Sequence, residues 1–127
     1  MKNVVGYMDI LYLPVLDIEE TIKWYQEKLG FHWNGICFDL GKGPAIMLVT
    51  VDNEEDVKLT YKTDHWEGKD YDMHLLSFKS DNIEVTYETL KEQGVSVSEL
   101  KTYDENRKNF RFYDLNGNRF DVWQPIP

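Results

Sequence analysis

The sequence predicts an internally duplicated α+β fold, in which each of two helices covers one face of a curved sheet. Strand, helix and strand signals occur twice in the same order, and the helix opening Ile18-Glu19 with Thr21 is echoed by Ile83-Glu84 with Thr86. The length of 127 residues fits one domain with a real hydrophobic core and is too short for two ordinary ones.

The first copy begins with Met8-Asp9-Ile10-Leu11-Tyr12-Leu13-Pro14-Val15, rich in β-formers, and Pro14 places its end at an edge or bend. Asp17 then caps a helix, with Glu20 three residues on, and Ile18, Ile22, Tyr25 and Leu29 recur at helical spacing until Gly30 closes it. Two runs of strand character, Phe31 to Leu40 and Ala45 to Val51, flank the turn Gly41-Lys42-Gly43-Pro44. The polar stretch from Asp52 to about Asp70 is long for a connection, and Val57 to Tyr61 within it is a candidate fifth strand. The second copy runs from a strand at Met73 to Phe78, through a helix from Asp81-Asn82-Ile83-Glu84 to Gly94, to a strand beginning with Val95, Val97 and Leu100. Phe110 to Tyr113, the turn Asp114-Leu115-Asn116-Gly117-Asn118 and Phe120 to Trp123 complete it. The expected modules are 1–61 and 71–127, joined by a loop within a single domain, 1–127.

Composition narrows the function classes. With 42% hydrophobic and 29% charged residues the chain reads as a soluble globular protein, and no stretch approaches the roughly 20 apolar residues that cross a bilayer. The first residues lack the apolar core of a signal peptide, and Cys37 is the sole cysteine, so a cytoplasmic location is expected. Cys37 itself reads as a small apolar strand residue. A formal charge of −9 with scattered Lys and Arg argues against nucleic acid and is compatible with a cationic ligand. No P-loop, GxGxxG, HExxH or Ser-His-Asp order is present.

Taken in order, Tyr12-Leu13-Pro14-Val15-Leu16-Asp17-Ile18, Trp24-Tyr25, Leu29-Gly30-Phe31, Leu90-Lys91-Glu92-Gln93-Gly94-Val95 and Phe112 to Asp121 resemble the vicinal oxygen chelate superfamily, the fold of the glyoxalase, bleomycin-resistance and extradiol dioxygenase proteins. The resemblance covers nearly the whole chain. It implies two βαβββ modules forming a cup-shaped curved mixed sheet with the helices outside, a ligand in the cup and a homodimer. Metal-dependent members carry ligands on the first and last strands of each module. Here those positions fall on Ile10, Leu75, Met47 or Leu48, and Asp121, so one carboxylate stands where several donors are needed. No metal is therefore expected. Were the register shifted by one residue, His74 would turn inward in place of Leu75, and His74 with Asp121 could share a divalent metal with a third donor, for example from the loop around His65.

With apolar metal positions, the expected ligand-binding residues are Tyr12, Phe38, Met47, Leu75, Asp121 and Trp123, in an apolar and aromatic pocket with Asp121 as its charged anchor. Most aromatics in a domain of this size are core, which is the competing reading of each of these. Asp121, costly to bury unpaired, is expected to meet Arg, a tyrosine hydroxyl, a ligand cation or water. His32, Trp33, Tyr61, His65 and Trp66 can close over a ligand, or pack between modules or at a dimer interface. The leading expectation, by resemblance to the bleomycin-resistance branch, is a metal-independent protein that sequesters a small, aromatic or cationic ligand. The alternative is a divalent-metal-dependent enzyme of the same fold, a glyoxalase-like lyase or isomerase, a thiol transferase or a dioxygenase. A regulatory protein whose cup is filled by its own side chains is a third.

Overall fold

Each helix starts on a residue whose side chain and carbonyl both accept hydrogen bonds. At the first, the Asp17 carboxylate accepts from the Glu20 N–H at 2.9 Å, while the Thr21 hydroxyl and N–H donate to the Asp17 carbonyl at 2.6 and 3.1 Å. At the second, Asn82 Oδ1 accepts from the Val85 N–H at 3.3 Å, and Thr86 repeats both bonds to the Asn82 carbonyl. The echoed threonines thus do the same work at matching positions. The structure, a computed structural model, describes residues 1–103 and 105–125; the last two residues of the second expected module lie outside that range. Its fold is mixed α+β, with two helices among the described residues, and neither is long and apolar enough to cross a membrane.

The chain forms two compact units, Met1–Asp56 and Val57–Pro127. Unit 1 contains β1 (Ile10–Val15), α1 (Ile18–Leu29), β2 (His32–Trp33), β3 (Phe38–Asp39) and β4 (Ala45–Thr50). Its sheet runs β1-β4-β3-β2, with β1 parallel to β4 and the other pairs antiparallel. As an edge strand of this sheet, β1 tolerates the missing N–H of Pro14. The helix side is a core of Leu13, Val15, Ile46 and an aromatic cluster in which Tyr25 stacks on Phe38 at 5.2 Å. Gly30 ends α1 in the left-handed conformation, φ 69°.

Unit 2 contains β5 (Thr60–Thr63), β6 (Tyr71–His74), β7 (Ser77–Lys79), α2 (Ile83–Glu92), β8 (Ser96–Val97), β9 (Lys101–Tyr103), β10 (Arg107–Tyr113) and β11 (Arg119–Pro125). Its main sheet runs β7-β11-β10-β8, again with the first and last strands parallel and the rest antiparallel, and β9 adds to β10. The duplication read from sequence is therefore a duplication of strand order. Phe110, Phe112, Phe120 and Val122 face α2 in the core, where Tyr87 meets Phe110 edge-on at 5.1 Å, and Lys108 of the same face pairs with Glu84 of α2. The turn before β11 is built by Asp114, whose carboxylate accepts from the N–H groups of Asn116 and Asn118 at 2.8 and 2.9 Å.

Several expected elements take a different form. The run Phe31 to Leu40 is a tight hairpin rather than one strand. Asn34 Oδ1 accepts from the N–H groups of both Ile36 and Cys37 at 2.9 Å, and Gly35 adopts φ 98°, so the Asn-Gly pair turns the chain. The fifth strand begins at Thr60 rather than Val57 and pairs antiparallel with β6 as a separate two-stranded hairpin. Met73 to Phe78 is likewise broken: β6 ends at His74, Leu75 and Leu76 form a bend, and β7 starts at Ser77. The bend lets β6 pair with β5 and β7 pair with β11.

Phe120 is fully buried, with ring centroids 5.3 Å from both Phe78 and Phe112. Phe120→Ala is expected to cost about 3–5 kcal/mol of folding stability by urea denaturation. A loss below about 1 kcal/mol would remove this cluster from the centre of unit 2.

Candidate ligand-binding site

Side chains alternate along β10 and β11. While Phe110, Phe112, Phe120 and Val122 face α2, the opposite face receives Arg107, Asn109 and Arg111 from β10 and Arg119, Asp121 and Trp123 from β11. Ser77 of β7 lies beside Asp121 in the ladder. On this face is a cavity of about 230 Å3 lined by Trp66, His74, Ser77, Arg107, Asn109, Asp121 and Trp123.

Asp121 forms its floor. The residue is 4% exposed, and both carboxylate oxygens are occupied: Ser77 Oγ donates to Oδ2 at 2.7 Å and Asn109 Nδ2 to Oδ1 at 2.9 Å. His74 Nε2 stands 3.9 Å from Oδ2. Two neutral protein donors and an imidazole thus meet the buried carboxylate, and among the described residues neither an Arg nor a tyrosine hydroxyl bonds to it. Burial holds the His74 imidazole below its ordinary pKa; the Asp121 carboxylate opposes that shift, and the Arg119 and Arg111 guanidiniums reinforce it. His74 Nδ1 is buried with no hydrogen-bond partner among the described residues.

Ser77, His74 and Asp121 share the cavity without the geometry of a nucleophilic triad. The serine proton goes directly to Asp121, so His74 does not accept it. As metal donors, His74 and Asp121 form a pair only, and among the described residues no group of three His, Cys, Asp or Glu side chains gathers to hold an ion. A divalent cation held by protein needs more ligands than this pair, and the described residues do not supply them beside it.

The expected site residues separate. Asp121 and Trp123 line the cavity, joined by His74, which the shifted-register alternative turns inward. His74 lines the cavity and Leu75, 55% exposed, does not, the orientation that the shifted alternative describes, and the bend after β6 lets His74 and Ser77 both reach Asp121. Phe38 lies in the core of unit 1, where Trp33 also packs on it at 5.0 Å. Tyr12 is exposed on β1, opposite the half-buried Met47 of β4. Of the residues expected to close over a ligand, Trp66 reaches the cavity; His32, Tyr61 and His65 are exposed and do not line it. Ser77, Arg107 and Asn109 were not anticipated. The period-two pattern of Arg107, Asn109 and Arg111 against Phe110 and Phe112 was the signal that could have found the latter two.

The sequence profile of the family described as Glyoxalase/Bleomycin resistance protein/Dioxygenase superfamily matches residues 7–122. No curated protein sequence matches the chain significantly. Among solved structures, the chain is similar to a glyoxalase family protein from Bacillus anthracis, with TM-score 0.69 and 20% identity over 99% of this chain and 100% of that one. It is also similar to TnmS3, an antibiotic-binding protein from Streptomyces, with TM-score 0.66 and 18% identity over 98% and 100% of the two chains. An integron cassette protein from V. cholerae gives TM-score 0.63 and 22% identity over 98% of each. At these identities the likeness is one of fold.

The His74 environment sets a pH dependence. Because its folded pKa lies below the unfolded value, the unfolded chain takes up a proton first as pH falls below about 6.5. The contribution of His74 to stability is therefore lost on acidification from that point down to the lowered folded pKa, and is constant above it. His74→Gln is expected to flatten the stability-versus-pH curve over that window in urea denaturation. A curve parallel to that of the parent would show that His74 titrates normally.

Proposed function

Since the chain belongs to the Glyoxalase/Bleomycin resistance protein/Dioxygenase superfamily, we propose that it binds and sequesters a small aromatic molecule, without a metal ion, in the cavity of unit 2. One observation carries this reading: two tryptophans, Trp66 and Trp123, line a cavity whose floor is a buried, hydrogen-bonded carboxylate. Indole rings supply apolar area and π-faces, and a few fixed polar groups orient what sits between them. A volume of about 230 Å3 suits a compound of one or two rings. Asp121 then takes an N–H or O–H of the ligand, neutral or cationic, as a further hydrogen bond. The antibiotic-binding neighbour supports a small-molecule role on this fold.

The same reading places the protein in the cytoplasm, consistent with its single thiol, and makes it a homodimer. Ile10 and Tyr12 of β1 and Val49 of β4 leave apolar area exposed on unit 1, which a second copy can cover.

A metal-dependent enzyme is the second reading, favoured by the 3.9 Å approach of His74 to Asp121. The two are separated by experiment. On the proposed reading, calorimetric titration with one- and two-ring aromatics gives saturable binding without turnover. Trp123→Ala abolishes it, and Asp121→Asn weakens donor-bearing ligands by about tenfold or more. No saturable binding from any such compound would sink the proposal. Mn, Ni, Zn and Fe(II) are expected to give no saturable rise in Tm; a large rise abolished by both His74→Ala and Asp121→Ala would establish the metal enzyme instead.

A further inference from the structure

Beside the cavity, two arginines converge on one neutral oxygen. Arg111 Nη1 donates to Tyr71 Oη at 2.6 Å and Arg119 Nη2 donates to the same atom at 3.0 Å. Both guanidiniums also lie over the Tyr71 ring, 5.8 and 5.3 Å from its centroid. The two cationic groups are therefore no farther apart than two hydrogen bonds laid end to end. Arg119 is 8% exposed, and its Nε is buried with no hydrogen-bond partner among the described residues. Among the described residues no carboxylate comes within ion-pair distance of either arginine. Asp72, near Arg119, pairs at 2.9 Å with Lys62. Glu67 and Glu99 line the small recess that Arg111 and Tyr71 share, yet neither forms an ion pair with them. Guanidinium groups stay charged at any ordinary pH, and a buried one beside a half-buried one calls for an anion that the phenol oxygen replaces only in part.

That cluster adjoins the cavity. Arg111 stands opposite Asp121 in the β10–β11 ladder, and Asn109 lines both the cavity and the recess. We infer that Arg111 and Arg119 form an oxyanion subsite, so that the ligand is an aromatic molecule bearing a carboxylate or a comparable acid group. The inference rests on reading the adjoining cavity as a binding site. The acid group competes with Tyr71 Oη for the guanidinium donors, because the recess has room for about one water-sized atom, at about 10 Å3. A carboxylate is the better acceptor, since its bonds to guanidinium are charge-assisted on both sides.

Calorimetric titration with 2-naphthoate and with its neutral isostere 2-naphthamide tests this. The parent protein is expected to bind naphthoate at least about tenfold more tightly than naphthamide. In Arg111→Gln and Arg119→Gln the two probes should agree within about twofold, with naphthamide still bound saturably, which also certifies the folded cavity should buried Arg119 be sensitive to change. Tyr71→Phe, which removes the competing oxygen, keeps or raises the preference for naphthoate. Equal affinities in the parent, a preference surviving in both arginine variants, or a preference lost in Tyr71→Phe would each overturn the subsite while leaving the cavity reading intact. Failure of both probes to bind the parent would overturn the two together.

Discussion

The two-residue alternation of β10 and β11 is the constraint on which unit 2 depends. These strands are central, so one face must exclude water against α2 while the other holds whatever the first cannot accept. Aromatic rings occupy the helix side, and the odd-numbered positions from Arg107 to Trp123 are thereby forced onto the opposite side. Three arginines, Asn109, Asp121 and Trp123 reach one surface because four apolar neighbours are needed on the other. The site is a consequence of the core.

A carboxylate placed there has to be stabilised against its burial. Asp121 is held by Ser77 and Asn109, each from a strand flanking its own, and by the approach of His74. All three come from well-ordered pairings rather than from a free loop, which fixes the direction in which the carboxylate presents its remaining acceptor capacity. The β5–β6 hairpin contributes differently. It brings His74, Tyr71 and, at its tip, Trp66 to the same face, and the two arginines on Tyr71 fasten it to the main sheet. Its tip holds its own shape through Asp64, which accepts from the Asp70 N–H at 2.9 Å, where Asp70 takes the rare positive φ of 52°.

Much of the fold was legible because it rests on local chemistry. Asp17 and Asn82 cap their helices by side-chain bonds that span only three residues, and Gly30 ends the first helix through its own backbone freedom. The repeated order of elements could be read the same way. Asp121 and Trp123, two apart on one strand, could be placed on one face of it from the sequence, and both line the cavity of unit 2 together with Trp66. Phe38 and Leu75 show the limit. Phe38 has the composition of a pocket residue and the environment of a core residue, a difference that depends on Tyr25 and Trp33 arriving from other elements.

The sequence by itself determined the caps, the turns, the alternating faces and, through them, an α+β fold of two matching halves. Which residues meet was decided only in the tertiary structure. A bend at Leu75 and Leu76 restarts the count of faces, so His74 and Ser77 arrive at the same carboxylate, and no local propensity marks that bend. Tyr71 lies 40 residues from Arg111 and 48 from Arg119 along the chain, and their convergence follows from strand pairing over that distance. Local patterns fix dihedral angles and the direction of a side chain from its own strand. The partner it finds depends on how other strands are registered beside it, and that is a property of the whole packed sheet.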